Sequence, residues 1–394
     1  MAIRRLQDLD VKGKRVLCRV DFNVSRDKKT GQISDDTRVV AALPTIKDIL
    51  SRGGRLALCS HFERPKGRDP ALSLKPVAEV LAKHLGKPVA FADDCVGDVA
   101  KKAINALKEG EVVLLENLRY HEGEEKDDAA FAKQLAELAD CYVNDAFGAA
   151  HRAHASVHAA ALLYPNRAGG LLMQKEVEYL GKALKNPERP YVAILGGSKV
   201  SDKIKVITKT LDLADVVLIG GAMAYPFLLA QGKPVGKSKV DQADVPLAKE
   251  ILALVAKTGK KFLTPLDHVV AEKFEANAPN EVVAWDKIPE GKMALDIGPK
   301  TVEAYCAEIA KAKLVVWNGP QGVFELVPFN AGTFAIANAL AASKGTTIVG
   351  GGESVAAVKK AKVGDKISHI STGGGASLEF LEGKILPGVA ALEK

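Results

Sequence analysis

Short runs of Val, Ile and Leu recur along the 394-residue chain, each followed by a segment whose apolar residues fall at helical spacing. That alternation is the pattern of strand and helix units around a parallel sheet. In the first part the strand runs are 16–21, 55–60, 112–116 and 141–144. Further on they are 192–195, 216–219, 261–263, 293–297, 314–317, 346–349 and 367–370. Between the two sets lies an amphipathic stretch, 171–185, closed by Asn186-Pro187-Glu188-Arg189-Pro190. Proline lacks the amide hydrogen and crowds the preceding turn, so paired prolines end the helix and a domain boundary is expected there. The expected fold class is α/β, with two Rossmann-like domains, each a parallel sheet flanked by helices, joined by a hinge helix. The length agrees, since domains run to ~100–200 residues each.

In open parallel sheets ligands bind beyond the carboxyl ends of the strands, so the residues after each run carry the functional signal. The first half ends its strands in charge: Asp21-Phe22-Asn23, Ser60-His61-Phe62-Glu63-Arg64, Glu116-Asn117-Leu118-Arg119 and Asn144-Asp145. Of the 14 arginines only Arg189 lies beyond residue 170. Guanidinium is a rigid, bidentate fork for carboxylate and phosphate, so the first domain is expected to grip a small polyanion. The second half ends its strands in glycine: Gly196-Gly197-Ser198-Lys199, Gly220-Gly221, Gly298-Pro299, Asn318-Gly319-Pro320, Gly350-Gly351-Gly352-Glu353 and Gly373-Gly374-Gly375. Glycine lets backbone amides approach phosphate oxygens, and a following helix N-terminus adds its dipole, so a nucleotide site is expected there. Lys199 and Lys203, four apart, are expected to stack on one face at the start of a helix. Two cations at a positive helix end call for an anion, and phosphate is the natural one.

Composition narrows the partners. The formal charge of +7 does not point to nucleic acid, because acids are interspersed, no basic run exceeds three residues and aromatics are only 5%. Five widely spaced cysteines without a CxxC pair read as buried free thiols in a reducing compartment. The opening MAIRRLQDLD carries charge where a signal peptide is apolar, and no run reaches the ~18 residues of a membrane span; a soluble, cytoplasmic protein is expected. Residues 232–238 imitate a phosphate-binding P-loop but place three residues between the glycines where four are needed, so that reading is rejected. His151, His154 and His158 would share a face if their stretch were helical, yet no carboxylate or cysteine completes a zinc set, and a hydrogen-bonded polar face is expected.

Taken together, Arg19-Val20-Asp21-Phe22-Asn23, Asp35-Asp36-Thr37-Arg38, Glu116-Asn117-Leu118-Arg119, Asn144-Asp145-Ala146-Phe147-Gly148, Gly196-Gly197-Ser198-Lys199-Val200 and Trp317-Asn318-Gly319-Pro320 resemble the phosphoglycerate kinase family, in family order along essentially the whole chain. The resemblance implies a hinge-bending, magnesium-dependent glycolytic and gluconeogenic kinase, usually a cytoplasmic monomer, interconverting 3-phosphoglycerate plus ATP and 1,3-bisphosphoglycerate plus ADP. It implies a triose-binding domain of residues 1–170 plus 387–394, an interdomain helix of 171–186 and a nucleotide domain of 187–386. The triose site it implies comprises Asp21, Phe22, Asn23, Arg38, His61, Phe62, Glu63, Arg64, Arg119 and Arg152. The implied nucleotide site comprises Lys203, Asn318, Pro320, Glu325, Gly351, Gly352, Glu353 and Ser354, with Glu325 on the ribose and Glu353 serving the metal. Catalytic roles fall to Arg38 at the acceptor carboxylate and transferred phosphoryl, Lys199 at the phosphoryl in flight, Lys203 at nucleotide phosphate, and the Gly373, Gly374 and Gly375 amides at the equatorial oxygens. Two positions depart from the family pattern: His61-Phe62-Glu63-Arg64-Pro65 stands where H-L-G-R-P is usual, and Glu353 replaces the aspartate of the GGGD turn. A non-catalytic nucleotide-binding or scaffold protein of the same fold is the rival reading. Retention of Arg38, Lys199 and Lys203 weighs against it.

Overall fold

In the computed structural model, which describes residues 3–27 and 30–393, the first part of the chain forms strands β1 (Arg15–Arg19), β2 (Ser25–Arg26), β3 (Ile33–Asp35), β4 (Arg55–Cys59), β5 (Ala90–Ala92), β6 (Val112–Leu115), β7 (Cys141–Asn144) and β8 (Arg167–Gly169), of which β1, β4, β6 and β7 are the expected apolar runs. Six of them make one sheet in the order β5-β6-β4-β1-β7-β8, every neighbouring pair parallel. β2 and β3 form a separate antiparallel ribbon. Both faces of the six-stranded sheet are covered, which is why its central strands read as unbroken apolar runs rather than alternating ones. Val16, Cys18, Leu56, Leu58, Leu114 and Val143 pack on one side with Val39, Ile46 and Ile49 of the helix Thr37–Ser51. Because β1 lies between β4 and β7, the segments after those three strands emerge side by side at one edge of the sheet. The edge strands β5 and β8, three residues each, left no run long enough to recognise in the sequence.

The later part of the chain forms β9 (Tyr191–Leu195), β10 (Val216–Ile219), β11 (Lys261–Leu263), β12 (Asp267–Ala271), β13 (Asn280–Ala284), β14 (Met293–Ile297), β15 (Leu314–Asn318), β16 (Thr346–Gly350) and β17 (His369–Ile370), of which β12 and β13 match no run expected from the sequence. A second parallel sheet has the order β11-β10-β9-β15-β16-β17. Its core joins Val192, Ile194, Leu218, Val315 and Trp317 to Tyr305, Ile309, Ile336 and Leu340 of the covering helices. The run at 293–297 is a correction to the sequence reading: β14 pairs antiparallel with β12, which also pairs antiparallel with β13. A short buried run has the same composition in either kind of sheet, and only the partner decides the direction.

The chain divides into two units, Met1–Glu178 with Ile385–Lys394, and Tyr179–Lys384. The division falls inside the helix Leu171–Leu184. Within the first unit the terminal segment is tied by the Gly388 amide donating to the Ala150 carbonyl (2.9 Å) and the Arg4 amide donating to the Leu392 carbonyl (3.1 Å). All five cysteines are free thiols, four of them buried. Among the described residues no helix is long and apolar enough to cross a membrane.

Candidate active site

At the carboxyl edge of the first sheet a chain of polar contacts links residues from four strand ends. Arg19, at the end of β1, is completely buried; its Nε donates to Ser156 Oγ (3.0 Å), Nη1 to the Val20 carbonyl (2.6 Å) and Nη2 to His61 Nδ1 (3.2 Å). A guanidinium cannot accept, so His61 Nδ1 must, and the neutral ring carries its proton on Nε2. Burial pushes the His61 imidazole well below its ordinary pKa, with Arg19, Arg119 and Arg38 adding to the effect against Asp21. Arg38, in the first turn of its helix, donates from Nη1 to Asp21 Oδ1 (2.8 Å), and the Asn23 amide donates to the same oxygen (3.1 Å). Burial alone would raise the Asp21 carboxyl; His61, the Arg38 and Arg19 guanidiniums and the Asn23 amide together reverse this and hold it below the usual carboxylate range.

Glu63 enters this network through its backbone. Its amide donates to Asn23 Oδ1 (2.9 Å), its carbonyl accepts from Arg119 Nη1 (2.5 Å), and its side chain is exposed. Its φ of 51° lies in the left-handed region, which a β-carbon makes about 1 kcal/mol costlier than glycine. Phe22 and Phe62 are buried: the Phe22 amide donates to Ser60 Oγ (2.8 Å), and beneath the Arg26 guanidinium the Phe62 amide donates to Asn117 Oδ1 (3.0 Å) while its carbonyl accepts from Asn117 Nδ2 (2.8 Å). Arg119 also pairs through Nε with Glu125 (3.1 Å), Arg152 donates to His151 Nε2 (3.2 Å), and Arg64 is exposed without a partner among the described residues. The edge thus gathers more guanidinium than carboxylate, which is the electrostatic condition for holding an anion.

The histidine stretch is not helical. Residues 150–158 form turns; His158 Nδ1 pairs with Asp127 (2.6 Å), and burial beside Arg119, Arg19 and Arg152 holds the His154 imidazole down to about 4.

In the second unit Lys199 and Lys203 also depart from the expected stacking. The helix begins only at Ile204, so Lys203 is its cap and Lys199 lies in the preceding loop. Lys203 Nζ turns inward and donates to the carbonyls of Gly196 (2.5 Å) and Asn318 (3.3 Å), whereas Lys199 faces outward, 3.6 Å from Asp241. Burial lowers the Lys203 ammonium to about 8, against the opposing fields of Glu353 and Asp202. Gly196 and Gly319 are required here by space: a β-carbon on Gly319 (φ 96°) would sit 2.1 Å from the Gly196 carbonyl oxygen. The Gly319 amide donates to buried Ser354 Oγ (2.5 Å), and the neighbouring Asn318 Nδ2 is buried with no partner among the described residues, a donor left for a ligand.

Beside these turns lies a cavity of about 340 Å³. Phe274, Met293, Leu295, Pro320 and Val323 give it an apolar wall, while Gly197, Ser198 and Gly221 bring glycine turns to it and Glu325 and Glu353 bring carboxylates. Glu353 is exposed in the first turn of the helix Gly352–Lys360. Lys203, Asn318, Gly351, Gly352 and Ser354 lie outside the lining, as do Gly373, Gly374 and Gly375, which follow β17 at the start of the helix Gly375–Leu381. An apolar slot bordered by glycine turns and an inward lysine has the shape and chemistry for a base at one end and phosphates at the other.

The sequence model described as "Phosphoglycerate kinase" matches residues 6–384. The chain belongs to the phosphoglycerate kinase family. The phosphoglycerate kinase of Moorella thermoacetica is 58% identical over 393 residues, covering 100% of this chain and 99% of the relative, and that of Koribacter versatilis is 56% identical, covering 98% of each. The solved phosphoglycerate kinase structure from Coxiella burnetii superposes with a TM-score of 0.91 at 39% identity over 99% of both chains. That from Pyrococcus horikoshii gives 0.86 at 34% identity, covering 99% and 98%.

Within this phosphoglycerate kinase fold, three residues that border the sites were not singled out from the sequence. Glu124 is completely buried, accepting from Ser156 Oγ (2.6 Å) and the Ser156 amide (2.9 Å), and burial raises its carboxyl. Through Ser156 it braces Arg19, yet in sequence it sits in an acidic run that reads as surface charge. Lys237 and Lys239 line the cavity. They belong to or follow the segment rejected as a P-loop, and its lysine-rich composition was the one available signal.

Proposed function

We propose that the chain is a glycolytic and gluconeogenic phosphoglycerate kinase that transfers a phosphoryl group reversibly between ATP and the carboxylate of 3-phosphoglycerate, giving ADP and 1,3-bisphosphoglycerate. Full-length kinship carries this reading: the family match spans 6–384, and both charged strand-end clusters lie inside it. Nothing favours the non-catalytic alternative, and charges poised at both clusters exceed what binding alone requires.

The acceptor needs no general base, because a carboxylate with a pKa near ~4 is already ionised at neutral pH. Catalysis is therefore a matter of positioning and of neutralising charge on the moving group. Arg38, set by Asp21, holds the acceptor carboxylate; Asn23, His61, Arg64, Arg119 and Arg152 hold the rest of the triose phosphate, and Phe22, Phe62 and Glu63 shape the site from the backbone. Lys203 receives nucleotide phosphate, Lys199 exchanges Asp241 for the phosphoryl in flight, and the amides of Gly373, Gly374 and Gly375 meet its equatorial oxygens. Asn318, Pro320, Gly351, Gly352 and Ser354 frame the nucleotide, and Glu325 binds its ribose.

Glu353 fits a metal partner: its carboxylate is exposed on the cavity, without an ion pair among the described residues. Magnesium bound with the nucleotide offsets phosphate charge. Hinge closure brings the two ligands together and excludes water that would hydrolyse the acyl phosphate. The protein works as a cytoplasmic monomer, with no nucleic-acid or membrane partner. A coupled assay tests the core of the proposal: ATP consumption should depend on 3-phosphoglycerate, and its absence with active coupling enzymes would overturn it.

A further inference from the structure

Outside the residues assigned to either cluster, three side chains of different metal-binding chemistry converge in the first unit. Asp94 and Cys95 follow β5, and His121 follows the single 3-10 turn Leu118–Tyr120 beyond β6. A carboxylate oxygen of Asp94, Cys95 Sγ and a His121 ring nitrogen all lie within 4.8 Å of one another, and no other such group of His, Cys, Asp and Glu occurs among the described residues. We propose that Asp94, Cys95 and His121 form a site for a zinc-type divalent cation, with water as the fourth ligand.

Zinc takes nitrogen and oxygen at about 2.0 to 2.2 Å and sulfur at about 2.3 Å, so tetrahedral ligands stand roughly 3.3 to 3.7 Å apart. His121 Nε2 and Asp94 Oδ1 are 2.7 Å apart, joined by a hydrogen bond. A cation replaces that bond and opens the pair by under about 1 Å. Neighbours hold the ligands in place. The His121 ring stacks on Phe131 with centroids 5.1 Å apart, and the Cys95 amide donates to Asp94 Oδ1 (2.7 Å). Arg68 stands 3.6 Å from the other oxygen, Oδ2, and is itself drawn to the Asp93 carbonyl and the Tyr120 ring, leaving Oδ1 for the cation.

Cys95 is completely buried, whereas the Asp94 and His121 side chains are 27% and 33% exposed. The cation therefore enters from solvent on the Asp94 and His121 side and keeps a water there, the open arrangement of three protein ligands. On binding, the Cys95 thiol loses its proton to solvent, and His121, whose Nε2–H donates to Asp94 in the free site, gives up that proton to solvent and takes one at Nδ1, so that the Nε2 lone pair faces the cation. A thiolate and an imidazole select a zinc-type ion over magnesium, so this site is chemically separate from the metal that accompanies the nucleotide.

Cobalt(II) added to metal-stripped, full-length protein tests the assignment. One equivalent should produce a thiolate-to-cobalt charge-transfer band in the near ultraviolet, and zinc should remove it. Cys95→Ser should abolish the band, His121→Gln should weaken cobalt affinity by ~10-fold or more, and Cys306→Ser, which alters the half-buried thiol of the second unit, should leave both unchanged. Kinase turnover without added cobalt reports that each variant folds. Absence of the band in the unaltered protein, its survival in Cys95→Ser, or its loss in Cys306→Ser would overturn the proposal. Should Cys95→Ser fail to fold, unchanged cobalt affinity in His121→Gln would do the same.

Discussion

Lys203 should make nucleotide binding take up a proton at alkaline pH. Its ammonium is lowered to about 8 because burial strips it of water, which the fields of Glu353 and Asp202 offset only in part. An ADP phosphate seated against Nζ supplies the missing counter-charge and restores the pKa toward its ordinary 10.5. The sign follows from linkage: a group whose pKa is raised by a ligand favours binding at low pH, and affinity falls as pH rises through the free-protein value. At pH 7 roughly nine in ten Lys203 side chains are charged before binding, and at pH 9 roughly one in ten. ADP should therefore bind about tenfold more weakly at pH 9 than at pH 7, about 1.4 kcal/mol, and should take up ~0.9 proton per site at pH 9.

Titration calorimetry in buffers of different ionisation enthalpy measures that uptake directly. Burial also raises Asp296 to about 8, and its neighbour Leu295 lines the same cavity, so the control is Lys203→Met. This variant should bind ADP more weakly and lose the alkaline proton uptake. Uptake below ~0.3 proton at pH 9, or equal uptake in Lys203→Met, would refute the assignment of Lys203 to the phosphates.

Arg38→Ala should leave ADP affinity within about twofold and reduce turnover by ~10³ or more, the scale of a transition-state arginine; steady-state kinetics with calorimetry checks this, and turnover within a few-fold of the unaltered protein would remove Arg38 from the mechanism. Lys199→Ala should chiefly lower turnover if, as proposed, the outward Lys199, with only Asp241 at 3.6 Å as partner among the described residues, meets the phosphoryl in flight; an ADP affinity loss equal to that of Lys203→Ala would sink the division of roles. Glu353→Asp should be mild and Glu353→Gln severe, read as the magnesium concentration for half-maximal activity, because the proposed role at the metal rests on the charge; an unchanged requirement in Glu353→Gln would leave a capping role alone. Small-angle scattering should show compaction only with both ligands bound, and full compaction with ATP alone would contradict closure driven by both.

The composition of the strand ends by itself distinguishes the two halves of the chain. Arginine followed by Asp, Asn and His in one half, and glycine with lysine in the other, state which ligand chemistry each end can satisfy, because those preferences are local properties of side chain and backbone. The two parallel sheets were legible for the same reason, through runs such as 16–19 and 314–317 that are buried on both faces. Direction and contact were not. That β14 runs antiparallel depends on its partner β12, and a run of five residues carries no record of its partner. That Lys203 turns inward while Lys199 turns outward depends on where the helix starts, and the sequence spacing of four suggested a shared face that an unwound turn abolishes. Glu124, bracing Arg19 through Ser156, and the convergence of Asp94, Cys95 and His121 arise from segments brought together by the sheet. Burial sets the charge of such groups, and burial is a property of the packed chain, decided only when distant residues exclude water from one another.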